Sequence, residues 1–369
     1  MRSAALGFAL LLLAPLPVPA AAQAPDVACA RPVEAPGPAD APATMHRIAR
    51  GEGVRVAVID TGVADHPLLR VEPVADLVSP ATPDPHLDCD GHGTVVAGVI
   101  AAVAPGVVIL SVRQSSAHHR QVGGDPAGTL GSLADAIHRA LDAGAQVINA
   151  SVVSCLDPAV PFDARPLHDA LRRAEEEGAV VVAAAGNVGA SCLPGMSVYP
   201  AHEDTVIPVA AVHPGDPHSV ADYVMPGAGQ VTAPGLIPAG LSPSGGGWAS
   251  GMTGANGGET GFEGTSFAAP VVSGVAALLR ERHPQDSAAD IRGRIRQAAE
   301  PGHGMVDPRA TLTHLAGDYR IADRAATAEA PAAPEPRAPG RAASILAGAG
   351  LALLLGWLSD SVRGRVRRG

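Results

Sequence analysis

The chain has 369 residues, with 26 basic residues, every one an arginine, against 36 acids, for a formal charge of -10; this length suits one large domain with additions or two medium ones. Apolar residues make up 47% and charged residues 17%, which excludes a wholly disordered, charge-rich chain. The acidic balance argues against nucleic acid as a partner, since that requires a basic, phosphate-neutralising surface. With aromatics at 2%, the core must be built from Val, Ala, Leu and Ile.

In chain order, Arg2 precedes an apolar run over 4–16, and small residues follow around Ala20–Ala24. This pattern predicts a secretory signal peptide over 1–22, with Pro15, Pro17 and Pro19 weighing against a retained membrane helix. An N-terminal extension, 23–52, comes next. From Val54 the chain alternates apolar runs (54–59, 107–112, 147–153 and 179–185) with helical periods, one on Leu133, Ile137 and Leu141, another on Leu167, Leu171 and Ala174. Runs of this kind fit a mostly parallel sheet buried on both faces, hence an α/β architecture. The Gly-rich stretch 244–264 is predicted to be an Ω-like loop shaping a cleft. A helix is expected over 266–282, with Pro270 near its first turn, where a missing N–H costs little.

Beyond the body, 318–341 is a Pro- and Ala-rich linker, and 342–359 carries no charge over a length that spans a bilayer as a helix. A terminal amphipathic or buried helix is the alternative. The tail 360–369 holds Arg363, Arg365, Arg367 and Arg368, which the positive-inside rule keeps in the cytoplasm, leaving the body outside.

Four local signals point to chemistry. Asp60 ends the first strand in Asp60-Thr61-Gly62, His92 opens a helix in Gly91-His92-Gly93, Asn187 follows a strand in Gly186-Asn187, and Ser266 opens a helix in Gly264-Thr265-Ser266. Each alone is weak. Asp-Thr-Gly also occurs in aspartic proteases, but there is no second such triplet to supply the paired acid. A serine hydroxyl needs a base to become a nucleophile, a histidine can serve, and an aspartate can hold that histidine in the required tautomer. Asn187 and the Ser266 N–H can stabilise the oxyanion that then forms.

This order and these contexts resemble the subtilisin-like serine proteases over roughly 53–315. The resemblance implies a three-layer fold for a peptidase domain spanning 53–317, a catalytic set of Asp60, His92 and Ser266, and an oxyanion donor in Asn187. It also implies a substrate groove along Ser151, Val152 and Val153, in which Val153 replaces the family's usual glycine and narrows the groove. The four cysteines admit three pairings that arithmetic alone leaves open, and no pair has the CxxC spacing of a zinc site. In the implied fold Cys155 and Cys192 emerge at the same end of the sheet, which gives Cys155–Cys192 and Cys29–Cys89. His303, in Gly302-His303-Gly304, resembles a late structural turn of the family.

The stretch between the signal peptide and Asp60 is shorter than the usual inhibitory pro-domain. That short extension, the anchor and the cysteines resemble the mycosins, membrane-anchored proteases of type VII secretion systems. The implied partners are exported proteins, membrane components of such a system and the lipid bilayer through the terminal helix. The implied location is the cell membrane, single-pass, with the catalytic body extracytoplasmic. No cofactor is implied, and structural calcium stays open. A chiefly structural role in the secretion complex is the alternative function.

Overall fold

The computed structural model describes residues 28–38, 44–120, 126–227, 229, 231–254 and 256–314. The expected signal peptide, linker, membrane helix and basic tail lie outside the described residues. Among the described residues no helix is long and apolar enough to cross a membrane.

Strand β1 (Arg31–Ala35) opens the described chain, followed by β2 (Arg55–Asp60), β3 (Val71–Asp76), helix α1 (His92–Val103) and β4 (Val108–Arg113). A hairpin of β5 (Ser116–Arg120) and β6 (Pro126–Ala127) leads into α2 (Leu130–Asp142), β7 (Val147–Ala150), β8 (Ser154–Leu156), α3 (Arg165–Glu176) and β9 (Val180–Ala184). The chain continues through β10 (Ser197–Tyr199), β11 (Val206–His213), β12 (Asp216–Val220), β13 (Val231–Pro234), β14 (Leu236–Ile237) and β15 (Gly240–Leu241). It closes with β16 (Trp248–Thr253), β17 (Glu259–Glu263) and helices α4 (Thr265–Arg282), α5 (Ala288–Ala298) and α6 (Pro308–Thr313).

The central sheet has eight strands in the order β12-β11-β9-β7-β2-β4-β3, with β13 also on β11. Every pairing in it is parallel except β11 with β12. Side chains alternate across a strand, so Val56 and Val58 enter the core shared with α1 and α4, while Ala57 and Ile59 enter the core shared with α2 and α3. Two cores on opposite faces make the three-layer α/β fold. Valine and alanine fill both, as the scarcity of aromatics requires. Helix α2 is started by Thr129 and Ser132, each side chain accepting from the other's backbone N–H, a reciprocal cap that satisfies two orphan donors.

Two expectations are corrected. The apolar run 147–153 pairs only as far as Ala150, opposite Ile59 and Ala183; beyond that, Ser151 turns its hydroxyl towards α4. The stretch 244–264 is not an Ω-like loop, because most of it forms the antiparallel pair β16 and β17. Its glycines serve close approach: a Cβ on Gly251 would stand 2.5 Å from the Thr260 carbonyl oxygen. The N-terminal extension then adds β1 antiparallel to β16, a pairing that no local pattern announced.

The cysteines are joined as Cys29–Cys89 and Cys155–Cys192. The first bond ties the segment leading into β1 to the loop before His92. At the other end of the extension, Glu281 of α4 accepts the backbone N–H groups of Arg50, Gly51 and Glu52 at 2.7, 2.5 and 3.2 Å.

At the ends of β3 and β4 lies a buried ion pair, Arg113 Nη1 donating to Asp76 Oδ2 at 2.9 Å with neither side chain exposed. Asp76 also accepts three backbone N–H groups, from Val78, Ser79 and Asp84. Arg113 Nη2 donates to His119 Nδ1 at 3.0 Å, which fixes the β5 strand to the sheet. Removing one member of a buried pair strands the other charge, so Asp76→Ala should cost about 3–5 kcal/mol. Urea unfolding against the unsubstituted protein measures that loss.

Candidate active site

The carboxyl ends of β2 and β9 and the N-termini of α1 and α4 converge, the place where open α/β sheets hold ligands. Asp60 is the last residue of β2 and is fully buried. Its Oδ1 accepts the Thr61 N–H at 2.8 Å and faces His92 Nδ1 at 2.6 Å. A carboxylate only accepts, so Nδ1 carries the proton and Nε2 is left as the basic nitrogen. The His92 side chain is 27% exposed. Gly93 permits this contact, since a Cβ there would collide with the Gly62 carbonyl oxygen.

Burial lowers the imidazole pKa, but the charge and hydrogen bond of Asp60, with Asp88 and Asp90 adding to them, outweigh it and hold His92 above 6.5. The Phe267 ring packs against the imidazole with centroids 5.0 Å apart. Phe267 directly follows Ser266 at the start of α4, so this contact couples the two helix N-termini.

Asn187 follows β9. Its Oδ1 accepts both the backbone N–H and the hydroxyl of Thr265, at 3.1 and 3.0 Å, and the same hydroxyl accepts the Gly186 N–H at 3.1 Å. With the carbonyl end committed, the amide Nδ2 is the free donor. Gly264 has a φ of 154° and a Cβ there would stand 2.8 Å from that Nδ2, so glycine is required on two counts. Ser266 lies in the first turn of α4, where backbone N–H groups have no intrahelical acceptor.

Helix α4 starts at Thr265, which puts Pro270 beyond the first turn that was expected for it. There it removes the N–H that would bond the Ser266 carbonyl. Ser151 supplies the missing donor, its hydroxyl reaching the Ser266 oxygen at 2.7 Å. Asn149 Nδ2 donates to Ser151 Oγ at 2.9 Å, and Ser273 Oγ donates to Asn149 Oδ1 at 2.8 Å. The Ser151 side chain is therefore buried in a chain that steadies the turn carrying Ser266.

His92, Asn187 and Ser266 line one cleft of about 470 Å³, whose walls include His118, Met252 and Glu263. Asp60 sits behind His92. A neighbouring cleft of about 300 Å³ is lined by Gly128, Thr129, Val152 and Val153, and Ala117 of β5 borders both. Val152 and Val153 thus line the cleft next to the one that holds His92, Asn187 and Ser266. His303 lies elsewhere, its ring edge-on to that of His218.

Sequence reading missed Asp88 and Asp90. Asp90 accepts the Ser116 hydroxyl and the Ala117 N–H at 2.7 and 2.9 Å, which orients β5 over the cleft. Asp88 is buried and bonded on both oxygens. An acid shortly before a helix N-terminus was the available signal. No group of three or more His, Cys, Asp or Glu residues able to hold a metal occurs among the described residues.

The subtilase family profile matches residues 51–328. Mycosin-4 of Mycobacterium tuberculosis (strain ATCC 25618 / H37Rv) is 40% identical over 306 residues, covering 72% of this chain and 66% of that protein. Subtilisin BL of Lederbergia lenta is 34% identical, covering 73% of this chain and 94% of its own. A chain in the solved structure of an intact ESX-5 inner membrane complex matches with a TM-score of 0.72 and 30% identity, over 92% of this chain and 94% of that one. The chain spans 66% and 64% of the lengths of the first mycosins it matches. It belongs to the subtilase family and is homologous to the mycosins.

Because the folded pKa of His92 lies above the unfolded value of 6.5, its pairing with Asp60 stabilises fully below pH 6.5. That contribution disappears as pH rises through the folded value. Asp60→Asn should lower the His92 pKa and flatten this part of the stability profile. Titration of the imidazole by NMR, with thermal unfolding at several pH values, reads both effects.

Proposed function

We propose that this chain is a serine endopeptidase that cuts exported proteins, with Asp60, His92 and Ser266 as its catalytic set. The observation that carries the reading is the Asp60–His92 hydrogen bond behind a cleft that His92, Ser266 and Asn187 line together. In this mechanism His92 Nε2 takes the Ser266 hydroxyl proton as the oxygen attacks a peptide carbonyl, then delivers it to the leaving amine. Asp60 holds the tautomer and stabilises the imidazolium. Asn187 Nδ2 and the Ser266 N–H receive the developing oxyanion, donors already oriented before the reaction begins. Water then resolves the acyl-enzyme by the reverse proton path.

The substrate strand lies along the segment after Asn149, and Val153 narrows the groove there. The body acts outside the cell membrane, held by the 342–359 helix with the basic tail inside. Its partners are the membrane components of a type VII secretion system. Similarity to a chain of the ESX-5 inner membrane complex supports this placement. The same similarity favours a second reading, in which the protein also stabilises the complex. Neither role requires a cofactor.

Peptide-library cleavage by the purified protein and its Ser266→Ala variant tests the chemistry. Cleavage should vanish with Ser266→Ala, and Asn187→Leu should lower kcat with little change in KM. If Ser266→Ala cuts as well as the parent, the serine mechanism is wrong. Val153→Gly should admit larger side chains, read as a broadened residue preference in the same library.

A further inference from the structure

Asp88 is a buried carboxylate that the proposed mechanism does not use. Its Oδ1 accepts the Thr61 hydroxyl at 2.7 Å and the Gly91 N–H at 2.9 Å. Its Oδ2 accepts the Thr94 N–H at 2.8 Å and the Thr94 hydroxyl at 2.6 Å. The four donors come from two places, the residue after Asp60 and the entry and first turn of α1, which begins with His92.

The proton directions follow from these distances. Thr61 has one hydroxyl proton, and Asp88 at 2.7 Å takes it in preference to Asp60 Oδ1 at 3.3 Å. The Thr61 oxygen is then free to accept the Gly93 N–H at 3.0 Å. In the same way Thr94 gives its proton to Asp88 and accepts the Ala64 N–H at 3.0 Å. Asp88 thereby locks the loop after β2 onto α1 and leaves Asp60 Oδ1 to the Thr61 N–H and to His92. Only an acceptor at both ends satisfies four donors; a carboxamide would set its NH2 against two of them.

We propose that Asp88 is a positioning residue for the Asp60–His92 pair, fixing their separation through Thr61 and α1 and adding its charge to the field at the imidazole. This rests on the proteolytic reading above. The titratable groups facing it are Asp60 from β2 and His92 from α1. Asp90, on its own loop, is engaged by Ser116 and Ala117. Burial, only partly offset by the Thr94 and Thr61 bonds and reinforced by the Asp60 charge, leaves the Asp88 carboxyl raised to about 6. Asp88 therefore takes its proton over the pH range in which a histidine base also loses function.

The test is the pH dependence of kcat/KM for the full-length protein and its Asp88→Asn variant. The parent's acid limb should fall more steeply than one proton allows, because Asp88 and His92 both protonate. Asp88→Asn should lower kcat/KM at pH 8 about tenfold, as expected for losing hydrogen bonds to a charged group. It should also shift the limb to lower pH and reduce its slope to one proton. NMR titration of His92 in the Ser266→Ala background, with and without Asp88→Asn, gives a reading independent of turnover, and the double variant should show the lower pKa. An unmoved limb and an unmoved His92 pKa overturn the proposal, and so does a one-proton limb in the parent should the variant fail to fold. Full cleavage by Ser266→Ala would instead sink the proteolytic reading, while the His92 titration would still report on Asp88.

Discussion

Keeping a carboxylate at the end of a central, buried strand is the constraint around which the site is organised. Asp60 has no exposed surface, so its charge must be met by donors placed in advance. The Thr61 N–H and the imidazole meet it from one side, and the close approach at Gly93 lets the helix bring that imidazole within reach. The strand end, the tight loop after it and the start of α1 thus form one mechanical unit.

A second unit mirrors it across the cleft. Thr265 clamps the carbonyl end of Asn187 and also binds the Gly186 N–H, so the end of β9 and the start of α4 move together. The proline in α4 leaves the Ser266 carbonyl to Ser151, which extends this unit to the end of β7. Phe267 against the His92 ring joins the two halves. Three parallel strands and two helix N-termini thereby converge on one cleft.

The features that sequence revealed are those whose meaning is local. Asp60, His92, Asn187 and Ser266 each sit at or just beyond a strand end or at a helix start, with a glycine one or two residues away, and the apolar runs gave the parallel sheet because burial on both faces leaves no polar alternation to read. The features it concealed are relational. Pro270 looks like a helix-start proline until Thr265 is seen to begin the helix, and its consequence is the bond from Ser151 to the Ser266 carbonyl, two residues 115 positions apart. Glycines in 244–264 read as looseness, whereas Gly251 and Gly261 face each other across a ladder. Asp88 reads as an ordinary polar residue beside a cysteine, and only the arrival of Thr61 and Thr94 gives it a role.

The Cys29–Cys89 bond closes a covalent ring that contains β1, β2 and β3. Any single backbone cut between those two cysteines opens the ring without releasing either piece. Such a nicked molecule would keep its mass until reduced, and β1 would stay paired to β16. The region ahead of His92 can therefore be clipped once and still remain covalently joined to the rest of the body.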